Sequence, residues 1–181
     1  MKIFEVSLQE GSELAQLSSV DPLRHPLLFF TREQAVNWQP PLVRRLLRDG
    51  RRRRRPVDFP ICDAKGLVFG NRALEALGTL MRASGDVLPL RVERGDPLWV
   101  CFPQLLPIID VERSEPIRMG ELVFGVQKPV FNISKFEGVD LCRPTGVASS
   151  TSYVSQRFRM AYVEAGLSGL SFKETNTAAT Q

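Results

Sequence analysis

One order of residue types occurs twice in this chain and restricts its fold more than any other feature: apolar strand, capping residue, amphipathic helix, glycine, apolar strand. The first copy is "GLVFGNRALEALGTLMRASGDVLPLRVE", Gly66 to Glu93. Leu67 to Phe69 predict a strand, Asn71 an N-cap, and Leu74, Leu77 and Met81 repeat at helical spacing. Gly85 can close that helix before "VLPLRV" returns as a strand. The second copy is "TSYVSQRFRMAYVEAGLSGLSFKE". Its strand ends near Val154, Ser155 is the cap, and Phe158, Ala161 and Tyr162 lie on one helix face before Gly166 and a last strand, "LSF". Each connection has about the dozen residues that a helical crossover between parallel strands needs, and an antiparallel return also fits. The copies share grammar and little sequence, so no duplication is inferred.

In a chain of 181 residues with 43% hydrophobic and 24% charged side chains, this order predicts one self-sufficient domain. The expected class is mixed α/β (α+β): a mostly antiparallel or mixed sheet with two or three packed helices over residues 1–175. The polar end, residues 176–181, is expected to fray as a flexible tail.

Prolines punctuate the rest. Ile3, Phe4 and Val6 predict a first strand, and a short helix is expected around Glu13 to Leu17. "PLLFF" reads as a buried extended segment. Thr31 and Gln34 then have capping-box spacing for a helix that Pro40 and Pro41 must stop. "VRRLLRDG" reads as one or two helical turns ending at Gly50. "PLWVCFP", "LLPIIDVE" and "ELVFGVQKPVF" read as strands, the last interrupted at Pro129, and "VDLCR" leads to a turn at Pro144 to Gly146. Trp38 and Trp99 are assigned to the core.

Charge is concentrated in one place. The chain carries a formal +4, yet residues 44–55 hold eight arginines and one aspartate, a local +7 that leaves −3 for everything else. The basicity is therefore a local feature. Arg51, Arg52, Arg53, Arg54 and Arg55 form an unbroken run between Gly50 and Pro56, expected in an exposed loop near residues 50–56. Such a run can remain a solvated, self-repelling loop, bind phosphates with steep salt dependence, or meet protein carboxylates through the planar guanidinium fork. No aromatic residue is interleaved to stack bases, so a protein partner suits these five arginines better than nucleic acid.

Catalytic signals are sparse. His25 is the sole histidine, and no nucleophile elbow, Walker loop or dinucleotide fingerprint is present. Cys62, Cys101 and Cys142 are odd in number and widely spaced, which suits reduced cytoplasmic thiols and no zinc site. Asp58, Asp63 and Lys65 in "VDFPICDAK" resemble the acidic pair and lysine of metal-dependent nucleases, where carboxylates hold Mg²⁺. Their close spacing across Pro60 fits better a turn at Asp63 to Gly66 after a proline-bounded strand, with Asp58 itself in an Asx-type turn. "DVERSE", Asp110 to Glu115, reads as a solvated loop. The expectation is a non-enzyme without cofactor or metal. The start lacks the apolar stretch of a secretory signal and no run is long enough to span a membrane, so the cytoplasm is the expected compartment.

The order of several short signals resembles a known family. "NWQPPLV" (Asn37 to Val43), "PVDFP" (Pro56 to Pro60), "GLVFGNRALEAL", "GDVLPLRV" (Gly85 to Val92), "LWVCFPQLLPIIDVERSE" and "YVSQRFRMAYVEAGLSGLSF" follow one another over Phe30 to Phe172. Their order is similar to that of the Imm11 immunity proteins (the DUF1629 domain) of bacterial polymorphic-toxin systems. The resemblance implies a protein that neutralises a cognate toxin by direct contact and has no catalytic residues. The arginine run is longer than the family pattern, and "LCRPTGVASS" matches it loosely. Both departures fall in loops, where partner choice is carried.

Overall fold

A computed structural model describes residues 2–17, 27, 30–49, 52–147 and 151–175. In chain order the elements are β1 (Ile3–Leu8), β2 (Leu14–Leu17), α1 (Arg32–Val36), β3 (Leu42–Leu46), β4 (Arg48–Asp49), β5 (Arg52–Arg53), β6 (Leu67–Gly70), α2 (Asn71–Ser84), β7 (Gly85–Val92) and β8 (Leu98–Pro103). They continue with β9 (Leu105–Leu106), β10 (Glu115–Met119), β11 (Leu122–Lys128), a 3-10 turn (Ile133–Phe136), β12 (Leu141–Pro144), β13 (Ser152–Ser155), α3 (Gln156–Glu164) and β14 (Leu170–Glu174). The class is α+β with mixed sheets.

Two five-stranded sheets, ordered β14-β1-β13-β12-β9 and β2-β3-β7-β8-β6, carry the fold. The repeated residue order produces the same arrangement in each. β6 and β7 both pair antiparallel with β8, so they run parallel to each other with α2 as their crossover. β13 and β14 flank β1 in the same way, joined by α3. Each unit is thus a parallel helical crossover with one antiparallel strand inserted between its two strands.

Strand alternation divides the apolar residues among three cores. Phe69 on β6, Leu77 and Met81 on α2, Cys101 on β8, Phe4 on β1, Val154 on β13 and Phe158 on α3 share a central cluster, which therefore joins both five-stranded sheets to α2 and α3. The alternate residues Val68, Leu90, Val100 and Phe102 form a second core on the other face of the β8 sheet. Ile3, Cys142 and Tyr153 form a third with Ile108, Ile109 and Phe131. Ser155 caps α3 by accepting from the Phe158 amide at 3.1 Å, as its position predicts. The return bond of the capping box at α1 is also present: Gln34 Oε1 accepts from the Thr31 amide at 2.9 Å.

Several expectations are corrected. Glu13 to Leu17 is not helical; β2 pairs antiparallel with β3. "VRRLLRDG" forms β3 and β4 instead of helical turns, because β3 is held between β2 and β7. Gly70 occupies the N-cap of α2, and Asn71 instead accepts from the Trp99 indole at 3.0 Å. Trp38 and Trp99 are half-buried at the rims of the cores. Gly85 does close α2 as expected, in an extended conformation; a side chain there would strike the Phe102 carbonyl. "LLPIIDVE" yields only the two residues of β9. "DVERSE" is the expected solvated segment, a turn with Glu112, Arg113 and Glu115 exposed in which Asp110 accepts from the Arg113 amide, and its last residue begins β10. "PLLFF" is described only at Leu27 and Phe30, while His25 and residues 176–181 lie outside the described residues.

Candidate protein-contact surfaces

The arginine segment is not an extended loop. Arg48 pairs with Arg53 and Asp49 with Arg52 in an antiparallel hairpin, and the Arg54 amide donates to Leu47 O at 2.8 Å. The chain then docks on the segment just before β2: the Arg55 amide donates to Gly11 O and the Glu13 amide to Arg55 O. Arg51 lies outside the described residues, and Arg52 is described in its backbone alone.

The arginines around this hairpin have different tasks. Arg45 makes a two-pronged bond to Glu13, at 2.6 and 2.9 Å, and Glu13 is only 1% exposed. That bond, with Glu13, holds the Arg45 pKa above its usual value. Arg44 pairs with Glu93 across the sheet at 2.5 Å. Arg54 is half-buried and donates to Ser12 O at 3.2 Å. Arg48, Arg53 and Arg55 are exposed, and no carboxylate among the described residues pairs with them.

The nuclease-like triplet is not assembled as one site. Asp58 is buried and faces Ser168: its carboxylate accepts from the Ser168 amide at 2.9 Å and hydroxyl at 2.8 Å, and from Arg72 at 3.1 Å. The amide it satisfies is therefore distant in sequence, not the neighbour that a local Asx turn requires. Asp63 is exposed. Lys65 lines a different feature, a cleft of about 740 Å³ where β8 passes into β9 and leaves one sheet for the other. Phe30 and Phe102, stacked at 3.7 Å, form one wall, and Asp86 and Arg143 supply further charge. Arg143 donates to Lys65 O at 3.1 Å, and burial lowers its pKa. Among the described residues no group of three or more His, Cys, Asp or Glu side chains is placed to hold a metal. The thiols of Cys62, Cys101 and Cys142 are pushed up to about 12 by burial, and those of Cys62 and Cys101 also by a neighbouring aspartate.

A second surface, missed in the sequence, is the β10–β11 hairpin. Among the described residues its two strands pair only with each other. Ile117, Met119, Leu122 and Phe124 are 50–68% exposed, four large apolar side chains on one arm. Lys128 and Glu115 close its base at 2.9 Å, and Ser114 anchors it by accepting from the Val130 amide. A groove of about 660 Å³ separates the arm from the β1 sheet, lined by Ile117, Phe124, Val126, Glu5, Tyr153 and Lys173. The signal for it is the apolar alternation of "ELVFGV"; its partner strand, "EPIRM", is short and interrupts its apolar residues with Pro116 and Arg118.

No helix among the described residues is long and apolar enough to cross a membrane. No protein-family model matches the chain, and no curated protein matches it.

Proposed function

We propose that this chain is a cytoplasmic immunity protein that binds a cognate bacterial toxin and neutralises it by direct contact, without turnover. The observation that carries the reading is the β10–β11 arm. Two strands alone are marginal in water, and an apolar group this exposed marks a protein-contact site. A toxin surface laid against Ile117, Met119, Leu122 and Phe124 would bury them and add the missing neighbours. The order of motifs resembling the Imm11 family supports the same function class.

The test is capture with the tagged full chain from nuclease-treated cells of its own source, then co-expression with whatever protein is held stoichiometrically. Under this reading the captured protein arrests growth alone and is harmless beside the wild-type chain. Phe124→Asp with Ile117→Asp, both on the exposed arm, abolishes capture and protection while the melting temperature is retained. A captured protein without toxicity, or protection unaffected by both substitutions, overturns the proposal.

A further inference from the structure

We infer that Arg48, Arg53 and Arg55 form a second recognition surface, one that takes a protein face bearing closely spaced carboxylates. Three observations meet here. Arg48 and Arg53 stand directly opposite in the hairpin ladder, so their side chains share a face. Arg55, two residues beyond Arg53 and bridged to Ser12, is exposed like Arg53, whereas Arg54 between them is half-buried and donates to Ser12 O. The three cations are therefore clustered, with Cβ atoms about 5 Å apart across the strands and about 7 Å along one.

Among the described side chains of residues 44–55, two arginines have carboxylate partners and these three exposed ones have none. Arg45 is matched by Glu13 and Arg44 by Glu93. Like charges directly opposite in a ladder destabilise it, so Arg48 against Arg53 weakens the free hairpin. An anionic partner removes that repulsion on binding. The surface is held in register: the bonds of Arg54 to Leu47 O and of Arg55 to Gly11 O tie it to the residue just after β3 and to the segment just before β2. Less conformational freedom is then lost on association than a loose run would lose.

Protein is favoured over nucleic acid because β2, β3, β4 and β5 contain no aromatic residue on which a base could stack. Planar guanidinium forks meet carboxylates two-pronged, and carboxylates on alternate residues of a strand repeat at about 7 Å. This surface is separate from the apolar arm and does not require the partner to be a toxin.

The experiment titrates the full chain against a fluorescein-labelled peptide of alternating glutamate and serine, and against oligothymidylate of equal charge. The wild type binds the peptide more tightly than the oligonucleotide. The triple variant Arg48→Gln, Arg53→Gln, Arg55→Gln loses about tenfold, the sum of three exposed pairs. A control with the same charge loss elsewhere, Arg82→Gln, Arg94→Gln, Lys135→Gln, stays within about twofold of wild type. Arg48→Glu separates recognition from folding: it places opposite charges across the ladder, so its melting temperature equals or exceeds that of wild type while peptide binding falls. Equal losses in the triple variant and the control, no peptide binding by the wild type, or a lower melting temperature for Arg48→Glu each overturn the inference. Tighter binding of oligothymidylate, lost in the triple variant, assigns the surface to nucleic acid instead.

Discussion

Replacing Asp58 by alanine tests whether this carboxylate is a clamp or a reagent. The loop at residues 56–60 precedes β6 of one sheet, and Ser168 precedes β14 of the other. Asp58 joins them through three acceptor contacts, and its own amide donates to Ser168 Oγ at 3.2 Å. Phe59 adds a backbone bond to Ser168 O at 3.0 Å. Gly169, at φ +105, keeps that approach open, because a side chain there would strike the Phe59 carbonyl. A hydrogen bond to a charged acceptor contributes about 1.5–3 kcal/mol, and truncation leaves the Ser168 amide without its acceptor. Arg72 is 64% exposed, so its pair with Asp58 is screened and adds no more than about 0.5 kcal/mol. Asp58→Ala should therefore cost about 3 kcal/mol, and Asp58→Asn, which keeps one acceptor oxygen, about half as much. In a chain of this size 3 kcal/mol lowers the melting temperature by about 6–12 °C.

Urea unfolding followed by circular dichroism reads the loss as a lower midpoint at unchanged slope. A double-mutant cycle with Ser168→Ala should return a coupling of at least about 1 kcal/mol. A loss under about 1 kcal/mol for Asp58→Ala refutes the clamp. So does an Arg72→Ala variant that loses as much, since the solvent-exposed pair would then be the stronger contact. A clamp also separates stability from recognition: Asp58→Asn should still capture the partner at a temperature where it is folded.

Glu13→Ala leaves the Arg45 guanidinium without its two-pronged partner, and breaking so buried a pair should cost about 3–5 kcal/mol in thermal or urea unfolding. With thiols pushed up to about 12, about one in ten thousand is thiolate at about pH 8, so a thiol reagent should modify the native chain slowly and all three cysteines once it is unfolded. Asp140 is a buried acid-sensitive group. Burial raises its pKa, but the hydrogen bonds from Arg157 and Ser155 outweigh burial and hold it below the usual carboxylate value. A depressed folded pKa gives stability that is complete above the unfolded value of about 4 and is lost as pH falls through the lower folded value. Unfolding free energy should drop in that window for the wild type, and by less for Asp140→Asn.

Local rules carried the parts of this fold whose signals lie within about twenty residues. Ser155, Phe158 and Tyr162 specify a cap and one buried helix face, and α3 forms as they indicate, because nothing distant competes with it. "VRRLLRDG" shows where such rules stop. Val43, Leu46 and Leu47 satisfy helical spacing, yet Val43 is buried between β2 and β7, Leu46 is half-buried and Leu47 is exposed at a bend. Neighbouring strands decided the conformation, and those neighbours are Leu14 to Leu17 and Arg91 to Val92, on either side in sequence. The same reach governs the candidate surfaces. Eight arginines in twelve positions announce positive charge, but sorting them requires Glu13 and Glu93, which lie 32 and 49 residues from Arg45 and Arg44. Until those carboxylates are placed, the five-arginine run looks uniform. Once they are placed, the exposed arginines of this segment without a carboxylate partner among the described residues are Arg48, Arg53 and Arg55, of which the first lies outside the run.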